Sequence, residues 1–138
     1  MLVEAKAHVN EMTSKIKATD PHSIELIERT IKETKTFLGS EATMHTWLNH
    51  YYQLSNRLAY LYILNEKMKI PTWLALVNFI DDDSHKPTPI NQWMNHYQEV
   101  FEEMDINFNS SNLLNRLVTL FPKSLKGDNG GWNDREDI

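Results

Sequence analysis

Residues 72–80, TWLALVNFI, are apolar at nearly every position. On an extended chain Trp73, Ala75, Val77 and Phe79 point to one side, and Leu74, Leu76 and Ile80 to the other. A strand apolar on both sides belongs in the interior of a sheet covered on both faces, the usual setting of a parallel sheet. Parallel neighbours are joined by a crossover, most often a helix. The sequence upstream should therefore hold a helix and, before it, a partner strand.

Both are there. Ile70-Pro71 closes a helix that starts at Thr46 and runs to about Lys69. It is apolar around much of its circumference, through Trp47, Leu48, Tyr51, Leu54, Leu58, Leu61, Tyr62 and Leu64, which predicts burial on more than one side. At the start of the chain, Leu2 and Val3 open a strand over residues 2–7. Strand, long helix and strand make one crossover unit, so 2–7 and 72–80 are expected to pair in parallel.

The remaining segments supply helices. Asp20-Pro21 has the residue types of an N-cap and first helical position. Ile24, Ile27, Ile31 and Leu38 then form one stripe, and Gly39 supplies the stop. Residues 9–19 show no period. Thr88-Pro89 starts a helix whose stripe is Ile90, Trp93, Met94, Tyr97, Val100, Phe101 and Met104. Ser110 or Ser111 is expected to cap a last short helix containing Leu113, Leu114, Leu117, Val118 and Phe121. From Pro122 the chain is polar and Gly-rich, which predicts a disordered tail over 122–138 after one domain over 1–121. The expected fold is α/β or α+β, rich in helix, with a small sheet of two strands covered by helices.

Composition narrows the function. The 138 residues allow one modest core. Lys and Arg number 14 against 19 Asp and Glu, a net charge of −5, so the chain as a whole is no electrostatic trap for nucleic acid. The absence of cysteine excludes disulfides and thiolate zinc sites and fits a reducing, cytoplasmic setting. No apolar run reaches the ~20 residues of a membrane span, and the N-terminus lacks the apolar core of a signal peptide.

Chemistry concentrates in two places. Glu4 and Lys6, two apart on a strand, project from one face. There Glu4 can offer hard oxygen to a divalent cation, and Lys6 can orient a water or stabilise developing negative charge. The same pair at an exposed strand end is a weak surface ion pair. On the long helix, Asn49, Gln53, Asn56, Arg57 and Tyr60 project together as a polar stripe. That stripe is either a substrate-facing site or a hydrogen-bonded structural network. A third group, Asp81-Asp82-Asp83-Ser84-His85, follows the second strand. Such runs more often mark a solvated turn than a cation site.

Four segments together resemble a family of bacterial proteins related to the PD-(D/E)XK nucleases: VEAKAH at 3–8, YQLSNRLAYLY at 52–62, IPTWLALVNFIDDDSH at 70–85 and PTPINQW at 87–93. The resemblance covers roughly residues 1–104. It implies a partial restriction-endonuclease-like core and an ancestral metal-dependent hydrolysis of phosphodiesters. It also implies roles: Glu4, Lys6 and Gln53 as the catalytic group, Glu4 as a ligand of Mg²⁺, and Asn56 and Arg57 as substrate-binding residues. DNA is the implied partner. In that superfamily a second metal ligand, an Asp, lies on the strand before the Glu-x-Lys strand. Here Met1 stands two residues before Val3, so the resemblance implies that the chain looks like the C-terminal part of such a domain. The expectation is a nuclease-like domain inactive as an isolated chain. The alternatives are an interaction module that dimerises, or takes strands from a second chain, through an open sheet edge, and a small domain whose polar stripe is structural.

Overall fold

The computed structural model describes residues 1–82 and 87–123. In chain order the elements are β1 (Leu2–Lys6), α1 (Pro21–Phe37), α2 (Tyr52–Tyr62), β2 (Leu74–Asn78), α3 (Ile90–Glu103) and β3 (Leu117–Leu120). The strands form one parallel sheet in the order β1-β2-β3. Leu2 lies opposite Leu74 and Lys6 opposite Asn78, which is the expected pairing of 2–7 with 72–80. The architecture is α/β and rich in helix.

Three expectations are corrected. The first concerns residues 112–121. Only one 3-10 turn forms, Asn112–Arg116, with the Ser111 hydroxyl accepting from Leu113 N–H. The chain then straightens into β3, which pairs Leu117 with Leu74 and Leu120 with Val77. A short apolar run fits a helix or a buried strand equally well by period. The β-branched pair Val118-Thr119 and the unpaired second edge of β2 decide for the strand. The sheet therefore has three strands where the sequence suggested two.

The second concerns the long helix. Residues 46–69 do not form one α-helix: π-helical turns at Thr46–His50 and Ile63–Lys67 flank α2. Between the first turn and α2, Tyr51 leaves helical geometry (φ −123°, ψ 41°). The freed backbone is met by the aperiodic segment 9–19, which lies alongside as a strap. Ser14 N–H donates to His50 O at 2.7 Å, Tyr52 N–H donates to Ser14 O at 3.2 Å, and Ile16 N–H donates to Leu48 O at 2.9 Å. The same segment begins with a 3-10 turn, Val9–Met12.

α1 starts and stops as read. Asp20 accepts from Ser23 N–H at 2.8 Å, and Gly39 takes φ +72°, a conformation in which a side chain is strained. The helices pack on one side of the sheet. There Leu74 and Leu76 join Ile31, Leu58, Leu61, Trp93 and Val100 in one core. At the end of β2, Asn78 is fully buried on that same side. Tyr97 O–H donates to its Oδ1 at 2.7 Å, and its Nδ2 donates to Leu76 O at 3.1 Å. Trp93 Nε1–H donates to Phe79 O at 3.1 Å, so α3 is tied both to the end of β2 and to the residue that follows it. Burial pushes the Tyr97 phenol well above its ordinary range.

The third correction concerns cover. β2 is the central strand, but among the described residues only one of its faces meets helices. On the other lie Val3 and Ala5 of β1, Ala75 and Val77 of β2, Val118 and Leu120 of β3, and Trp73 just before β2. Ala75 is buried, but none of these residues joins the core cluster on the helix side, and Val3, Trp73 and Leu120 are 51%, 48% and 51% exposed. At the far end Ile80 N–H donates to Pro122 O at 3.0 Å, and Ile80 bridges Lys123. The rest of the expected tail, residues 124–138, lies outside the described residues. Among the described residues no helix is long and apolar enough to cross a membrane.

Candidate functional site

The site follows from strand geometry. Glu4 and Lys6 share the face of β1 that looks toward the helices, and their side chains are only 11% and 12% exposed. Burying two charges costs several kcal/mol unless each finds partners. Both do. Glu4 Oε1 lies 3.0 Å from Lys6 Nζ, and Glu4 Oε2 accepts from Arg57 Nε at 3.1 Å. Lys6 Nζ also donates to Gln53 Oε1 at 2.8 Å and to Glu11 O at 3.0 Å. Gln53 and Arg57 stand one turn apart on α2, the spacing that brings both onto β1.

Glu4, Lys6, Gln53, Asn56 and Arg57 thus line a single cleft of about 540 Å³ between β1 and α2. The other members of the polar stripe go elsewhere. Asn49 pairs with His45 at 3.4 Å between Asn49 Nδ2 and His45 Nδ1. Tyr60 is half exposed and lines a separate apolar groove with Leu26 and Ile27 of α1. In the acidic run, Asp81 takes φ +54° and its N–H donates to Thr88 O at 3.1 Å, which is turn geometry. Asp83, Ser84 and His85 lie outside the described residues.

Two contributors were missed in the sequence, Glu11 and Ser14. The Glu11 carboxylate accepts from Ala7 N–H at 2.8 Å and His8 N–H at 3.1 Å, closing the turn after β1. A Glu three residues past a potential cap has the spacing of a reciprocal cap, so this signal was available. Ser14 Oγ accepts from Gln53 N–H at 2.9 Å. That contact depends on the break at Tyr51, which no local pattern announces.

The wiring defines what the cleft can do. An ammonium has three protons, and Glu4, Glu11 and Gln53 accept all of those of Lys6. Arg57 is different: its Nε is given to Glu4, and its terminal nitrogens have no protein acceptor among the described residues. Its side chain is 39% exposed. Asn56 adds an amide that is likewise unpartnered among those residues. Glu4 and Glu11 contribute −2 against +2 from Lys6 and Arg57, so the charged groups lining the cleft balance, and the open donors of Arg57 and Asn56 rather than a net charge distinguish it. A guanidinium with a free fork beside an amide suits an anionic oxygen pair.

The same geometry suits Mg²⁺ poorly. That ion requires several oxygens in near-octahedral arrangement. Glu4 is the only carboxylate that the nuclease resemblance matches, and a cation already occupies each of its oxygens. Among the described residues no three His, Cys, Asp or Glu side chains gather closely enough to hold a metal. The residues present do not fit the ion.

Comparison of the chain with protein-family models, with curated proteins and with solved structures finds no match.

Proposed function

We propose that this chain is a partial restriction-endonuclease-like domain whose β1–α2 cleft takes up a phosphodiester group without hydrolysing it. The observation that carries the reading is the state of Arg57. Glu4 fixes the guanidinium through Nε and leaves its terminal nitrogens open to the cleft, beside the Asn56 amide. The Glu-x-Lys pair on a strand, with Gln53 on the following helix, supports the PD-(D/E)XK likeness of the same cleft. In this reading Lys6 and Gln53 hold β1 and α2 at the spacing the anion needs. Mg²⁺ has a place only where further oxygen ligands reach the cleft from outside the described residues.

Binding of a fluorescein-labelled oligonucleotide, followed by anisotropy at low salt, tests this. Low salt matters because the net charge of −5 opposes encounter with a polyanion. A hydrogen bond to a charged group contributes about 1.5–3 kcal/mol, so Arg57→Ala should weaken binding about 10- to 100-fold. Equal binding by the wild type and Arg57→Ala would place the nucleic acid elsewhere.

A second reading, an interaction module that pairs through its sheet edge, draws on β1 being an edge strand. Leu2 N–H and Lys6 O are used by β2, so the N–H groups of Val3 and Ala5 point to the open side.

A further inference from the structure

Parallel sheets are almost always covered on both faces, because their strands carry apolar residues on both. This sheet has the apolar residues and, among the described residues, lacks the second cover. Around Ala75, at 3% exposure, stand Val3, Trp73, Val77, Val118 and Leu120. Ala75 is buried yet stands outside the core cluster on the helix side. Scattered exposed apolar residues are ordinary, but a contiguous patch with a half-exposed Trp at one end marks an interaction surface.

We propose that this face is a self-association surface on which a second copy of the chain packs, sheet against sheet. Charge supports a second copy as the occupant. The chain carries −5, yet no residue of the patch is charged. Two copies meeting here bring no like charges together, and each copy's acidic groups stay outside the contact. Area then sets the strength. Three short strands with their projecting side chains offer on the order of 500 Å² per copy. Two such faces reach about 1,000 Å², the lower bound of a specific interface. The dimer should therefore be reversible, forming over tens to hundreds of micromolar, about the range such small interfaces reach.

Sedimentation equilibrium of the full chain, from about 10 μM to 1 mM in protein, tests the proposal alongside three variants. Trp73→Lys and Leu120→Lys each put a charge on the face at a position outside the core, so circular dichroism should be unchanged. Ala5→Pro removes an outward N–H of β1 while leaving the face apolar. The expected result is a monomer–dimer equilibrium for the wild type and Ala5→Pro, with both Lys variants monomeric throughout. A wild type that stays monomeric to 1 mM overturns the proposal. So does a dimer that survives both Lys substitutions, or one lost in Ala5→Pro alone, which would mean edge pairing. If Trp73→Lys fails to fold, Leu120→Lys decides.

Discussion

Glu4→Ala should lower the unfolding free energy by about 3 kcal/mol at neutral pH, the low end of the range for breaking a buried ion pair. Among the described residues Glu4 is the only carboxylate side chain on Lys6, whose own side chain is 12% exposed. Without it the ammonium keeps two neutral acceptors, Gln53 Oε1 and Glu11 O, which is why the cost does not reach the top of the range. Arg57 loses its anchor as well, but at 39% exposure it turns toward water at little cost. Urea unfolding of the wild type, Glu4→Gln and Glu4→Ala measures the effect. Gln retains an acceptor of the same shape, so its midpoint should lie between the other two. Three coincident midpoints would mean that the pair behaves as an exposed one.

Asn78→Ala should cost about 2–4 kcal/mol, because it opens a cavity and strands a polar partner together. Tyr97 O–H donates to Asn78 Oδ1 at 2.7 Å and is itself buried, so its hydroxyl is left without an acceptor. The Nδ2 contacts to Leu76 O and Leu120 O, at 3.1 and 3.5 Å, disappear with it. The second of these ties the last residue of β3 to β2. The double variant Asn78→Ala/Tyr97→Phe supplies the check, since removing the orphaned hydroxyl should recover part of the loss. No recovery would show that Tyr97 finds another partner. Hydrogen exchange should also show β3 amides opening more readily in the single variant.

What the sequence disclosed and what it withheld divide along physical lines. The pairing of β1 with β2 was legible because a doubly apolar strand, a long helix and a second strand formers' pattern admit few topologies. The cleft was legible because Glu4 and Lys6 must share a strand face, while Gln53 and Arg57 must share a helix face. β3 was hidden, since LVTL has no period that separates helix from strand and its partner edge lies about 40 residues away. The break at Tyr51 was hidden for a related reason: the backbone of Ser14 compensates it, and a hydrogen bond between main-chain groups leaves no trace in side-chain type. The double-faced apolarity of 72–80 was read correctly as a buried interior strand, but among the described residues helices cover only one of its faces. Pattern reports what a face prefers, not what lies on it.

In the function proposed above, the cleft holds an anion and, as these residues stand, does not cut it. Catalytic Mg²⁺ must be held tightly enough to polarise a phosphate and acidify a bound water, and both oxygens of Glu4 are already committed to Lys6 and Arg57. An endonuclease assay on purified 1–138 with Mg²⁺ and with Mn²⁺ addresses the claim directly, with Glu4→Gln and Lys6→Ala measured in parallel. The expected result is no metal-dependent cleavage of DNA or RNA above background by any of the three proteins. Metal-dependent cleavage by the wild type that both substitutions abolish would contradict the account, because the Glu4–Lys6–Gln53 group would then be a working catalytic centre.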